Sequence, residues 1–313
     1  MSEILDGKIL DGRKISNEIL HKVADEVIAL KASGITPKLC VILVGENPAS
    51  VSYVNMKHRA CERTGIESLV LKFSKDISQD CLLDEISKLN DDKSVSGILV
   101  QLPLPKHIDE HRILESIAIA KDVDGFHFYN VGRLWSDRGI FRDISQDFSL
   151  ENYGVLDSAK MPLLAPATPL GIMKLLEAYK ISPKGKNVAI IGASNIVGKP
   201  LCALMLNAGA SVSLCHILTK NISDFSKNAD IVCVGVGVAG LLKGDMIKDG
   251  AIVIDIGINK IDNRIVGDAD FDSVAKKASF ITPVPGGVGP MTISALLQNT
   301  LTCAKFLNTQ NKG

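Results

Sequence analysis

The chain has 313 residues, enough for two domains at roughly 150 residues each. Hydrophobic residues make up 46% and charged residues 22%, the balance of a packed globular protein and not of a disordered one. With 35 Lys and Arg against 35 Asp and Glu the formal net charge is zero, so composition offers no basic footprint for nucleic acid or an anionic membrane.

In chain order, Leu39 to Val44 is a continuous apolar run ending at Gly45, the pattern of a strand buried on both faces. Ser50 is placed to cap a helix over 51–63, with Gly65 past its end. A strand over 69–73, a helix over 78–89 and a strand over 97–102, stopped by Pro103 and Pro105, complete a first block. Segment 136–160 is rich in Asp, Ser, Arg and Asn with no clear period, so it reads as a loop or insertion. A helix over 168–179, capped by Thr168, is expected to bridge the domains. A second block holds strands at 187–191, 211–215, 231–234 and 251–256 and a helix over 198–208. A last helix is expected over 292–306 with Thr292 as its cap. Strands alternating with helices imply an α/β fold with parallel sheets, whose functional edge lies at the carboxyl ends of the strands.

The seven cysteines form no C-x-x-C pair and are odd in number, which argues against a disulfide framework or zinc ribbon and for reduced thiols in a cytoplasmic protein. No signal peptide is expected at the N-terminus, no apolar run reaches the ~20 residues that span a bilayer, and no histidine spacing suggests a metal site.

Four stretches could carry chemistry. Gly192-Ala193-Ser194-Asn195-Ile196-Val197-Gly198 sits at a strand-to-helix junction, where amide donors can meet a phosphate, although Ser194 takes the place of the usual second glycine. Tyr53 and Lys57 stand four apart on one helix face, with Gln101 at the end of a strand in the same block. They could form an acid/base lysine in a cleft, but spacing alone favours an exposed lysine over a half-buried ring, since such pairs are common on any amphipathic helix. Lys121-Asp122-Val123-Asp124-Gly125 fits either a grip on a polar heterocycle or a turn with solvated charges. Thr282 to Thr292, with three Pro and three Gly, is a shaped loop that reads as a binding element.

Together these stretches resemble the bifunctional methylenetetrahydrofolate dehydrogenase/methenyltetrahydrofolate cyclohydrolase family. The match runs through Val41 to Ser50, Tyr53-Val54-x-x-Lys57, Gly97 to Pro105, Lys121 to Gly125, Thr168-Pro169-Leu170-Gly171, Gly192 to Pro200 and Pro283 to Thr292. The resemblance implies an N-terminal α/β folate-binding domain over 1–164, completed by 287–313, a Rossmann-like domain over 165–286, and an active site in the cleft between them. It implies two reactions: hydride transfer from 5,10-methylenetetrahydrofolate to a nicotinamide, then hydrolysis of 5,10-methenyltetrahydrofolate to 10-formyltetrahydrofolate. Lys57 matches the catalytic lysine and Gln101 the amide that positions it. Tyr53 matches the ring that stacks on the substrate, Asp124 the carboxylate on the pterin, and Pro285, Gly286 and Gly287 shape the substrate site. The cofactor would lie on Gly192, Ala193, Ser194, Ile196, Val197 and Gly198, and on His216, Ile217, Thr219 and Ile258. A homodimer is implied, with no metal. A dehydrogenase without hydrolase activity, and a folate- or nucleotide-binding module without turnover, are the alternatives.

Three departures from the family pattern stand out. Ala193 replaces an arginine that would favour NADP, Ala167 replaces a cysteine, and segment 136–160 is longer than the usual link. The second strand of the nucleotide block ends Leu214-Cys215-His216-Ile217, with no acid to select NAD. Neither selector is present, so the residues alone imply modest discrimination; His216, Lys199 and Lys220 offer some positive charge, and the resemblance implies NADP, so NADP is expected, with NAD also used.

Overall fold

The structure, a computed structural model, describes residues 8–137, 161–262 and 264–310; the expectation for 138–160 lies outside the described residues. The chain divides into two compact units, one from the described parts of Met1–Ser16, Leu134–Leu150 and Thr168–Thr292, the other from those of Asn17–Arg133, Glu151–Ala167 and Ile293–Gly313.

The second of these units carries α1 (Gly12–Ala32, entered from the first unit), β1 (Lys38–Val44), α2 (Pro48–Thr64), β2 (Glu67–Phe73), α3 (Gln79–Asp91), β3 (Gly97–Val100), α4 (Glu110–Glu115) and most of α5 (Phe128–Ser136). The strands form a parallel sheet of order β2-β1-β3, with β1 buried from Leu39 to Val44 because its run of apolar residues is covered on both faces. One core joins Cys40, Ile42, Val44, Ile98 and Val100 to Leu82 and Ile86 of α3 and Ile113 of α4. The cap of α2 is Asn47, not Ser50: the Asn47 side chain accepts from the Ala49 and Ser50 amides, and Pro48 opens the first turn where no N–H is needed. Ser50 is buried inside the helix. Gly65 does end it, in the left-handed conformation at φ 75°.

The first unit carries α6 (Ala167–Ala178), β4 (Asn187–Ile191), α7 (Gly198–Asn207), β5 (Ser211–Cys215), α8 (Ser223–Ser226), β6 (Ile231–Val234), β7 (Ile252–Asp255), a hairpin of β8 (Asn259–Ile261) and β9 (Arg264–Val266), α9 (Phe271–Ala275), β10 (Phe280–Ile281) and the start of α10 (Val288–Gln310). Its sheet is all parallel, of order β10-β7-β6-β4-β5. The chain moves one way from β4 to β5 and the other way to β6, so the strand order reverses at β4.

The division differs from the expected boundaries at the N-terminus. Ile9 pairs with Ile281 beside β10, with Leu10 N bonded to Ile281 O and Ile281 N to Lys8 O, both at 2.9 Å, so this segment extends the five-stranded sheet. Thr292 is not a cap: α10 begins at Val288, and the Thr292 hydroxyl bonds back to Val288 O inside it. Among the described residues no helix is long and apolar enough to cross a membrane.

Candidate active site

In the unit built on β1–β3, Lys57 lies in the middle of α2 and is only 8% exposed. Its side-chain nitrogen donates to Gln101 Oε1 at 3.0 Å, and Gln101 Nε2 donates to Leu102 O at 2.9 Å. Gln101 follows β3 directly, so a helix interior and a strand end bring the two together. Burial pulls the Lys57 pKa below the usual lysine range, opposed by the charge of Asp124. Burial pushes the Asp124 carboxyl up to about 6, opposed by Lys57. Tyr53, one turn before Lys57, is half-buried, and burial raises its phenol pKa. A lysine so placed gives up its proton more readily than an exposed one. Cys61, one turn beyond Lys57, is inert by comparison, since burial pushes its thiol up to about 12.

The Lys121–Gly125 stretch separates into two jobs. Lys121 donates to the carbonyls of Leu89, Asn90 and Asp92 at 2.9, 2.7 and 2.7 Å, tying the turn to the end of α3. Asp122 is 1% exposed and accepts from Phe126 N at 3.2 Å, His127 N at 2.8 Å and Asn130 Nδ2 at 2.8 Å. Both charges are therefore consumed by the fold and neither is solvated. Asp124 alone keeps its carboxylate for other work, beside Lys57.

In the other unit the strand-order reversal falls between β4 and β6, where doubly wound sheets bind nucleotides at the carboxyl ends of the strands. Gly192 has φ 120°, and a Cβ there would meet Gly235 O at 2.4 Å; a Cβ on Gly198 would meet Gly192 O at 1.8 Å. The turn is closed so tightly that only glycine fits at its two ends. Ser194, where a glycine usually stands, accepts from Val197 N at 3.1 Å and Gly198 N at 3.4 Å and so braces the turn that leads into α7. The amides of Ala193, Ser194, Asn195 and Ile196 have no partner among the described residues. Four free donors beside a helix start fit a pyrophosphate. After β5, His216 N donates to Thr219 Oγ1 at 3.0 Å and Leu218 N to His216 Nδ1 at 3.2 Å, which leaves His216 Nε2 outward. Ile217 is 98% exposed at the tip of that turn and Ile258 is 48% exposed.

The Pro- and Gly-rich loop ends sooner than its sequence suggested, at Gly287, where α10 takes over. Gly287 N bonds to Pro283 O at 2.8 Å and Arg13 N to Gly286 O at 2.9 Å, which closes the loop against the start of α1. Pro285 is left exposed and the Val284–Pro285 peptide is cis. Two buried acids, Asp255 and Asp268, escaped the reading of the sequence; their only signal there is a Gly-Asp pair at 267–268. Among the described residues no group of three or more His, Cys, Asp or Glu is placed to hold a metal ion.

A doubly wound parallel sheet with a strand–turn–helix cradle suited to phosphate, joined in one chain to an α/β unit with a buried lysine–amide pair, defines a two-unit α/β protein of the nucleotide-binding class. The matches to known proteins narrow this. Residues 10–124 match the catalytic domain of tetrahydrofolate dehydrogenase/cyclohydrolase and residues 166–308 its NAD(P)-binding domain. The chain belongs to the tetrahydrofolate dehydrogenase/cyclohydrolase family. It is 54% identical over 299 residues to the bifunctional protein FolD of Helicobacter hepaticus, covering 95% of this chain and 96% of that one. Among solved structures it is similar to the bifunctional dehydrogenase/cyclohydrolase of Campylobacter jejuni, at 51% identity and TM-score 0.85, covering 95% of this chain and 98% of that one. It is also similar to the Trypanosoma brucei enzyme complexed with NADP and an inhibitor, at 34% identity and TM-score 0.84, covering 95% and 97%.

Proposed function

We propose that this chain oxidises 5,10-methylenetetrahydrofolate to 5,10-methenyltetrahydrofolate with NADP, accepting NAD as well, and hydrolyses the product to 10-formyltetrahydrofolate. The observation that carries the reading is the buried Lys57–Gln101 pair, 3.0 Å apart and electrostatically coupled to Asp124, in a chain of this family.

When bound, the nicotinamide supplies the hydride acceptor. The residues do the rest. Asp124 accepts hydrogen bonds from the N–H edge of the pterin, a charge-assisted pairing. Tyr53 stacks on the substrate. In the hydrolysis Lys57 starts as the free amine that burial favours: water adds to the amidinium carbon and loses a proton to its Nζ. Proton return to the ring nitrogen then lets the carbon–nitrogen bond break, with one proton released overall. Gln101 Oε1 aims Nζ by accepting from it. Desolvation helps, because burial lowers the Lys57 pKa and so favours the free amine that takes the proton from water.

The dinucleotide would lie along the turn, on Gly192, Ala193, Ser194, Ile196, Val197 and Gly198, with its adenosine ribose toward His216, Ile217 and Thr219, and with Ile258 beside it. The free amides of the turn and the outward Nε2 of His216 support this placement. A cytoplasmic homodimer without metal completes the proposal. The test is to measure reduced dinucleotide formed from methylenetetrahydrofolate with NADP and with NAD. Turnover with both, faster with NADP, is expected; turnover with neither would remove the dehydrogenase half of the reading.

A further inference from the structure

Outside the residues assigned above, two buried carboxylates stand at the carboxyl ends of the five-stranded sheet. Asp268 is fully buried and Asp255, the last residue of β7, is 4% exposed. Asp268 Oδ2 accepts from the amides of Val236 and Gly237 at 2.5 and 2.8 Å, and its Oδ1 from Asn259 Nδ2 at 2.8 Å. Asp255 Oδ1 accepts from Asp268 N at 2.9 Å and Gly257 N at 3.1 Å, and its Oδ2 from Ala269 N at 2.9 Å. Asp255 N in turn donates to Thr282 Oγ1 at 2.7 Å, at the head of the Pro- and Gly-rich loop. A Cβ on Gly267 would stand 1.8 Å from Asp255 Oδ2, and one on Gly257 would stand 2.2 Å from Asp268 Oδ1. The two acids and the two glycines are therefore fitted to one another.

The loop that Asp268 grips has a defined place. Val236 and Gly237 follow β6 and Gly235, and it is the Gly235 carbonyl that a Cβ on Gly192 would meet at 2.4 Å. The gripped loop is thus the wall of the crevice opposite the phosphate cradle, at the reversal of strand order. Its own side chains do little to fix it, since Val236 and Val238 are 40% and 52% exposed. A loop held in one conformation before a ligand arrives loses less entropy when the ligand binds.

We propose that Asp268 is a positioning residue for the dinucleotide: its carboxylate, on a backbone whose amide donates to Asp255, presets the Val236–Gly237 loop in the shape that receives the nicotinamide half of the cofactor. The inference rests on the reading of this unit as the dinucleotide-binding one. The experiment compares Asp268→Ala and Asp268→Asn in the full chain, measuring kcat and KM for NADP in the dehydrogenase assay and methenyltetrahydrofolate hydrolysis in the same preparation. Asp268→Ala raises KM for NADP about tenfold or more relative to its own hydrolysis rate, with a change in kcat of about threefold or less. Asp268→Asn keeps an oxygen for the two amides and returns KM to within about threefold of the parent. An unchanged KM in Asp268→Ala, a KM effect matched by an equal loss of hydrolysis, or an asparagine variant no better than the alanine one would overturn the proposal. If Asp268→Ala does not fold, Asn259→Ala removes the donor to Asp268 Oδ1 together with a longer bond to Gly267 O, and a KM for NADP equal to the parent's there would overturn it equally. Failure of the parent chain to bind NADP in calorimetry would instead remove the reading beneath it.

Discussion

Replacing Lys57 with Met keeps a long unbranched side chain in the interior of α2 and deletes the ammonium. In the proposed chemistry that ammonium is the group that moves protons at the reacting carbon, and such groups contribute ~10²–10⁴-fold. That range corresponds to about 2.7–5.4 kcal/mol in the barrier. The effect on folding is much smaller, for reasons visible in the surroundings of the side chain. Lys57 is 8% exposed and its charge is disfavoured by burial, so deleting the charge removes a cost. Against this, Gln101 Oε1 loses its donor, a penalty of about 1–3 kcal/mol if nothing replaces it. Gln101 is only half-buried, so water can replace it. The two effects oppose each other, and Tm should move by no more than about 5 °C. The assay is the loss of methenyltetrahydrofolate absorbance, corrected for spontaneous hydrolysis, beside a thermal melt. Hydrolysis within a few-fold of the parent in a folded variant would refute the role given to Lys57.

Ala193→Arg should improve NADP over NAD by roughly ten- to a hundredfold in kcat/KM, the worth of one charge-assisted bond at about 1.5–3 kcal/mol. An unchanged ratio in a folded variant would mean that Ala193 does not face the adenosine ribose. Gly198→Ala drives a Cβ to 1.8 Å from Gly192 O, so the turn must open. A stability loss of about 1–3 kcal/mol by denaturant titration, with weaker NADP binding, is expected, and wild-type values of both would contradict the geometry. The Asp124 carboxyl titrates near 6, so the charged form that grips the pterin is lost as pH falls through that value. KM for the folate should rise on the acid side while KM for NADP stays flat, and a flat folate KM would detach Asp124 from the substrate.

The parallel strands were legible because an unbroken apolar run such as Leu39–Val44 suits a strand covered on both faces and little else. The strands at 187–191, 211–215 and 231–234 stand where the sequence placed them, bounded by the glycines and polar turns around them. Helix starts were less legible. Asn47 and Ser50 are both good caps, and the choice between them depends on Pro48, which belongs at a first turn. Thr292 looks like a cap only if the glycines before it are assumed to be loop, yet α10 runs through Gly289. Helix α1 is legible too, since its buried Leu20, Val23 and Val27 stand three and four apart among polar residues. The pairing of Lys57 with Gln101 needs a helix and a strand end from different places in the chain, and spacing cannot supply that. The division of labour within Lys121–Gly125 was hidden for the same reason, since Lys121 is consumed by carbonyls about thirty residues earlier, at Leu89, Asn90 and Asp92. Asp255 and Asp268 read as ordinary polar residues until the fold buries them side by side.

The central claim is that one chain carries out both steps. The most direct measurement mixes the purified protein with 5,10-methylenetetrahydrofolate and NADP and follows reduced dinucleotide and 10-formyltetrahydrofolate together. The account predicts equal amounts of the two products, with 10-formyltetrahydrofolate formed faster than methenyltetrahydrofolate hydrolyses without protein. Reduced dinucleotide accompanied by methenyltetrahydrofolate that decays only at the protein-free rate would contradict it.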